Sequence, residues 1–444
     1  MELNDNARIA VVGGGPAGSL SAFFLQSLAE RVGLTLKVDV YEPRAFYKTG
    51  PSGCNMCGGI ISESLIELLA TEGLQIPSSV VIDTIDTYTL HTDDGHVRIR
   101  SRLDEMRIAS IFRGGGPRGA DHQLPLPWDS FDWFLLQQAC KRGARHIPER
   151  VKALSINEQG LPTVHTKGME PSAYDFLIGA IGLGGPSLKM FEKMGFGYEQ
   201  PETTKAFVAE LYYGDQEVKH RLNQAMHVFL LTIPGLKFAA LIPKGHYATL
   251  IILGEITMDL IQRVLASPVV KRIFPPGWEI PVQPCQCHPR ITIGAGKTLV
   301  ADRIAMIGDC AVSRLYKDGI GAAYRLSKPL ALTAITHGVS KESLAQHYLP
   351  QCDRMDRDNR IGHTLFNMDT LFRSIGPMRR GMLETVRQEQ AQAGGHQHLS
   401  AALWDTFTGS SSYQDILFRL LHPTVLARLT IKSALSLFRK PQQE

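Results

Sequence analysis

The segment Arg8-Ile9-Ala10-Val11-Val12-Gly13-Gly14-Gly15-Pro16-Ala17-Gly18 restricts this chain to a small set of folds. An apolar, β-branched run meets Gly13, Gly15 and Gly18 in G-x-G-x-x-G spacing, and Ser19 to Leu25 continues as a helix. Gly13 permits the tight turn from strand to helix, Gly15 lets the backbone approach a pyrophosphate, and Gly18 lets helix and strand pack closely. Pro16 and Ala17 fall inside the same phosphate-facing turn. The helix start offers unpaired N–H groups and the positive end of its dipole to the phosphates. A second strand, Lys37-Val38-Asp39-Val40-Tyr41, ends on Glu42, placed for a ribose diol, with Arg44 just beyond it. Together these predict a dinucleotide site built at the very start of the sequence.

Composition narrows the class. The 444 residues suffice for two or three domains, and 44% hydrophobic with 20% charged residues is ordinary for a globular protein. A net charge of +4 is too slight for the dense basic face of a nucleic-acid binder. The polar start Met1-Glu2-Leu3-Asn4-Asp5-Asn6 does not read as a secretory signal, and the nucleotide fold begins at once. No stretch reaches the ~18 uninterrupted apolar residues of a membrane span. Val228 to Ile242 comes nearest and is broken by Pro234, Gly235 and Lys237. Seven cysteines in so long a chain do not suggest a secreted disulfide framework, so a reducing cytoplasm is the expected compartment.

Further along, Ser62 is positioned to cap a helix over Glu63–Thr71. Strands are predicted at Thr87–His91 and Val97–Arg100 around Asp93-Asp94-Gly95, and a hairpin at Phe238–Ile242 and Ala248–Leu253. A helix starts near Asp129 and runs to Cys140 or Lys141, and from about Ser340 the pattern is helical to the end. Arg113-Gly114-Gly115-Gly116 is a plain loop on composition, and Gln388–His398 a polar break.

A late strand, Ile304-Ala305-Met306-Ile307, ends in Gly308-Asp309, and Gly319-Ile320-Gly321 opens a helix soon after. The first can aim a carboxylate at a ribityl hydroxyl; the second can face flavin and pyrophosphate. With the N-terminal fingerprint, these motifs make the chain resemble the FAD enzymes of the p-hydroxybenzoate hydroxylase superfamily. The resemblance implies FAD as cofactor, with NAD(P)H or another reductant as electron donor. It implies an α/β fold with a discontinuous Rossmann-like FAD-binding domain (1–80, 116–200, 291–340). An antiparallel β-sheet substrate domain (81–115, 201–290) is inserted into it, and a C-terminal helical region (341–444) follows. Where the hydroxylases carry Gly-Ala-Asp-Gly, this chain has Gly179-Ala180-Ile181-Gly182, so the carboxylate is lost.

Within that superfamily, Cys57-Gly58-Gly59-Ile60-Ile61-Ser62 is similar to the Cys-Gly motif of the geranylgeranyl reductases, which places Cys57, Gly58 and Gly59 beside the isoalloxazine. Phe238-Ala239-Ala240-Leu241-Ile242-Pro243-Lys244-Gly245 stands in register with that family's Tyr-x-Trp-x-Phe-Pro-Lys strand, with Ala240 in place of the tryptophan. The resemblance implies reduction of isolated C=C bonds in an apolar, isoprenoid-like substrate by hydride from reduced flavin. Burial at about 25 cal/mol per Å² would hold such a substrate. Flavin halogenases share the scaffold, but Gly277-Trp278-Glu279-Ile280-Pro281 matches only half of their Trp-x-Trp-x-Ile-Pro signature and lies outside the aligned strand. A flavin monooxygenase of hydroxylase type is the alternative activity.

Cys54-x-x-Cys57 and Cys285-x-Cys287-His288 leave three readings open. They are a dithiol exchanging electrons with FAD, with Cys57 and Cys54 catalytic; or a thiolate site for zinc or an Fe–S cluster; or small hydrophobes. The last helix, Pro423 to Lys440, mixes Val425, Leu426, Leu429, Leu435, Leu437 and Phe438 with Arg428, Lys432, Arg439 and Lys440. Two expectations stand for residues 423–444: contact with a lipid surface, or docking on the protein's own fold or a second subunit.

Overall fold

The computed structural model describes all residues except 51–52, 102–107, 115–127, 213–214, 278–284, 393–396 and 439–444. The loop beyond Gly114, most of the half-signature Gly277–Pro281, and the basic pair Arg439-Lys440 lie outside the described residues. The chain forms two compact units: residues 1–55, 129–204 and 290–359, and residues 56–128, 205–289 and 360–444.

The first unit is built on a six-stranded sheet in the order Val300–Ala301, Ile304–Met306, Phe176–Gly179, Arg8–Val12, Lys37–Tyr41, Arg145–Ile147. All neighbours are parallel except the first pair. A parallel sheet has helices on its faces, which is why Ile9 to Val12 form a continuous buried apolar run instead of alternating. The helix Pro16–Arg31 is buried on almost every side because the helices Phe131–Lys141 and Gly319–Thr336 both pack on it. Asp39 is a polar residue in the buried strand. Arg145 holds it bidentately at 2.8 Å and the Tyr174 hydroxyl donates to it at 2.7 Å, so the carboxylate is not left unsatisfied.

The second unit contains a large sheet in which Cys285–Cys287, Thr203–Tyr212, Tyr247–Gly254, Leu236–Lys244, Ala225–Phe229, Thr87–Thr92 and Gly95–Arg100 follow one another. The hairpin predicted at Pro243-Lys244-Gly245-His246 turns on Gly245, whose φ is +62°. Pleating divides this sheet into two chemically distinct faces. One presents Ala209, Phe229, Ala239, Leu241, Leu250 and Ile252 to the helices Asp215–Leu222 and Met258–Ala266 in a dry core. The other presents Tyr88, Phe238, Ala240, Ile242, Thr249 and Ile251, met by Phe366, Trp404 and Phe407 from the C-terminal helices.

The units divide at Asn55 rather than at residue 80. Ile60–Ser62 pairs with Ile108–Ile111, which also pairs with Val81–Ile85, so the Cys57 segment and the helix Glu63–Thr71 fold with the second unit. Ser62 caps that helix, accepting from the Leu65 N–H at 3.4 Å. The C-terminal helical region is present, and its helices after Arg360 fold with the second unit.

Two histidines inside the second sheet give it a pH response. His91 and His227 stand on neighbouring strands with their rings stacked 5.1 Å apart and His91 Nε2 2.9 Å from His227 Nδ1. Burial lowers the pKa of His91 to about 2, reinforced by His227 and His96. Burial likewise lowers that of His227 to about 4. The unfolded chain therefore binds protons that the folded chain refuses, and stability falls as pH drops below about 6.5, by up to about 1.4 kcal/mol per unit for each ring. Urea melts between pH 7 and 4.5 are expected to show this slope, and His227→Phe is expected to flatten it.

Candidate flavin site and reaction surface

Each fingerprint glycine in the first unit is required for a different reason. Gly13 has φ +107°, and a Cβ on it would lie 2.3 Å from the Ala180 carbonyl oxygen at the end of the next strand. A Cβ on Gly18 would lie 1.8 Å from the Gly13 oxygen, so helix and turn touch backbone to backbone. Gly15, the cap of the helix, opens onto space whose nearest atom is Asn55 Nδ2 at 3.8 Å. Pro16 occupies the first helical turn, where a missing N–H costs nothing. The Gly179-Ala180-Ile181-Gly182 segment thus supports the turn through its backbone, which needs no carboxylate at Ile181.

Glu42 is buried at the end of its strand. Its Oε2 accepts the Gly14 N–H at 2.9 Å and its Oε1 accepts the Arg44 N–H at 2.8 Å. In the structure it braces the turn, with one lone pair left on each oxygen for a ribose. The Arg44 side chain donates to Asn55 Oδ1 at 3.0 Å, and Asn55 Nδ2 donates to the buried Asp132 at 2.8 Å. Asn55 and Asp132 were not legible as site residues. Asp132 showed only as an acid in the first turn of a helix, and nothing local marked Asn55.

The late motif joins the early one. A Cβ on Gly308, whose φ is +74°, would fall 2.8 Å from the Ala17 Cβ, and Ser327 Oγ donates to the Ala17 carbonyl at 3.2 Å. Asp309 is exposed and its carboxylate approaches within 3.4 Å of where a Cβ on Gly319 would sit. Asp318, in the left-handed region at φ 57°, caps the helix by accepting from the Gly321 N–H at 3.1 Å, while Ile320 is buried. Gly13, Gly15, Glu42, Arg44, Gly308, Asp309, Gly319 and Gly321 therefore belong to one unit. The residues present fit a dinucleotide: an open helix N-terminus at Gly15, no room for side chains at Gly13, Gly18 and Gly308, and at Asp309 an exposed carboxylate with no hydrogen bond among the described residues.

The Cys57-Gly58-Gly59 turn belongs to the second unit. Gly59 has φ +65°, its N–H lies 3.4 Å from Cys57 Sγ, and its carbonyl accepts from Ile111 at 2.8 Å. A Cβ on Gly58 would lie 2.5 Å from Ile251 Cδ1, and one on Gly59 would lie 2.9 Å from Lys244 Nζ. The turn is thus seated on the face of the sheet that carries Ile242 and Ile251. On that face Lys244 and Glu210 are 3% and 7% exposed with Nζ 3.8 Å from Oε1, and Thr249 Oγ1 donates to Glu210 Oε2 at 2.8 Å. A buried pair so loosely closed is a weak stabiliser, because desolvation offsets most of its attraction. The pair lies beside the Cys57–Gly59 turn; Lys244 stood in the strand matched to the reductase motif, and nothing in sequence pointed to its partner Glu210.

Cys285 stands opposite Glu210 and Cys287 opposite Val208, so both thiols share this face. Cys54 lies in the first unit, where its N–H donates to the Gly50 carbonyl at 2.7 Å. All seven cysteines are free thiols, and among the described residues no three His, Cys, Asp or Glu side chains are grouped to hold a metal ion. Gly18→Ala is expected to lower unfolding free energy by about 3 kcal/mol, since rigid backbone must move. Gly185→Ala, in open space in a helix, is expected to be neutral or stabilising in the same thermal melts.

No family model matches the sequence, and no curated protein matches it either. Solved structures do. A geranylgeranyl bacteriochlorophyll reductase-like protein of Thermoplasma acidophilum superposes with a TM-score of 0.64 at 14% identity, covering 96% of this chain and 99% of that one. PqsL of Pseudomonas aeruginosa, in complex with 2-aminobenzoylacetate, gives 0.59 at 13% identity over 83% and 99%. A variant of the halogenase PltM in complex with FAD gives 0.59 at 12% identity over 98% and 93%. Such identities speak to fold, and this chain has the fold these three proteins share.

Proposed function

We propose that this protein is an FAD-dependent oxidoreductase that reduces a C=C bond of an apolar, isoprenoid-like substrate. The observation that carries the reading is the buried Lys244–Glu210 pair beside the Cys57–Gly59 turn, on a sheet face otherwise lined by apolar and aromatic side chains. The Gly13–Gly18 turn, Glu42, Arg44, Gly308, Asp309 and the Gly319–Gly321 helix start would hold FAD. When bound and reduced, FAD supplies a hydride.

The chain's own residues have the complementary tasks. Phe238, Ala240, Ile242 and Ile251 exclude water and hold the apolar chain; Ala240 leaves more room than an aromatic residue would. Lys244 is the candidate donor, at Nζ, of a proton to the carbon that does not receive the hydride; Glu210 lies 3.8 Å from that nitrogen and Thr249 orients Glu210. Cys57 borders the same turn through its contact with the Gly59 N–H, so a thiol role belongs to Cys57 before Cys54. NAD(P)H is the reductant to test first.

The likeness to PqsL, a fold described as that of a probable FAD-dependent monooxygenase, favours hydroxylation as the second reading. One experiment separates the two. Purified protein is expected to carry the visible spectrum of oxidised flavin and to release FAD on denaturation. Photoreduced anaerobically and mixed with a prenyl-chain substrate, it is expected to reoxidise with loss of a C=C bond. Lys244→Met is expected to slow that step by about 10²–10⁴-fold at unchanged flavin content. Absence of bound flavin, or turnover only when O₂ is admitted, would overturn the reductase reading.

A further inference from the structure

The last helix, Pro423–Ser436, is packed the wrong way round for a helix closing a globular fold. Its inner side is small: Val425 and Ser436 are buried, and a Cβ on Gly381 of the helix Gly376–Ala391 would lie 2.4 Å from Ser433 Oγ. Ser436 Oγ also donates to the Pro377 carbonyl at 3.1 Å. The two helices meet almost backbone to backbone at Gly381 and Ser433, where large side chains have no place. They stand outside instead: Leu426, Ile431, Leu435, Leu437 and Phe438 are 47–88% exposed, and Ala427, Thr430 and Ala434 fill the same outer half of the helix. The preceding helix, Tyr413–Leu420, adds exposed Phe418. Isolated exposed hydrophobes need no explanation, but a contiguous half-cylinder of them does.

Charge says what covers it. From Ile416 to Gln443 the chain holds five Lys or Arg residues and no Asp or Glu. A cleft of about 1630 Å³ opens beside this helix, in the same unit, and Lys432, Leu435 and Ser436 line it. It also holds six arginine or lysine side chains against three carboxylates. Those carboxylates are partly spent: Asp94 is shared by Arg379 and Arg380, and Glu384 by Arg387 and Lys432. Arg98 is exposed and has no partner among the described residues. A second copy seated on this face would bring like charges together. An anionic lipid surface matches both its chemistry and its geometry, apolar half-cylinder and basic cleft side by side. No described helix is long and apolar enough to cross a membrane, so the contact is with the interface.

We propose that the helix Pro423–Ser436 seats this protein on an anionic phospholipid surface. Its apolar outer side enters the headgroup boundary, and the basic cleft beside it receives lipid phosphates. The contact does not rest on the reaction the protein catalyses. Co-sedimentation of the full chain tests it, using vesicles of phosphatidylcholine with or without phosphatidylglycerol. The wild type is expected to bind the anionic vesicles at least tenfold more tightly than the neutral ones. I431S/L435S, at exposed positions, is expected to weaken that binding at least tenfold with an unchanged thermal melt. Arg98→Gln is expected to reduce the preference for phosphatidylglycerol. The proposal is overturned if the wild type stays in the supernatant, or if I431S/L435S binds as well as wild type. It is also overturned if sedimentation without vesicles shows a dimer that I431S/L435S abolishes while vesicle binding is absent; a second copy then owns the face.

Discussion

The meeting of Ala17 with Gly308 holds the first unit to its purpose. One residue comes from the opening turn of the chain and the other from a strand end near residue 308, and Gly308 brings no Cβ to hold the Ala17 methyl off. Around that point the helices Pro16–Arg31 and Gly319–Thr336 pack along each other, with Ser21 and Ser327 hydrogen-bonded at 3.3 Å. Two helix starts and one exposed carboxylate are thereby held in one unit, although the segments that provide them are far apart in sequence. Loss of that closeness would leave each motif locally intact and the combined site undone.

What could be read from sequence was what the backbone demands locally. Gly13 and Gly18 were legible because no other residue fits their places, and Gly15 because its spacing completes the fingerprint. Asp309 was legible because it ends a buried strand, and Ser62 because a cap must precede an apolar helix. Partnerships across the fold were not legible. Lys244, Glu210 and Thr249 come together only through strand register, and Asn55 with Asp132 only because a loop returns to a helix. The division at Asn55 was missed for the same reason: a three-residue strand, Ile60–Ser62, owes its place to Ile108–Ile111. In the last helix the apolar positions were visible and their direction was not. Sequence assigns large hydrophobes to the inside by default, whereas a glycine–serine seam reverses the helix.

The second unit puts opposite chemistries on the two sides of one sheet. Successive residues of Leu236–Lys244 alternate between a dry aliphatic core and the surface that carries Lys244. Such a sheet cannot slip by one residue without exchanging both sides, so register fixes which residues share the Lys244 face. Positions on the Lys244 side, Ala240 among them, can then change without touching the residues packed against the helices Asp215–Leu222 and Met258–Ala266.

The histidine pair in that sheet has a polarity of its own. His227 Nε2 faces the Leu222 carbonyl at 3.4 Å, which can only accept, so that nitrogen carries the hydrogen. His227 Nδ1 is then a bare lone pair, and the hydrogen between the rings belongs to His91 Nε2. Every hydrogen in the chain points the same way, from His91 through His227 to the backbone. His227 is the more basic of the two rings, and a proton placed on its Nδ1 would set two N–H groups head to head and break the bond between the rings. Neighbouring strands are therefore joined by a side-chain hydrogen bond that acid breaks, as well as by their ladder.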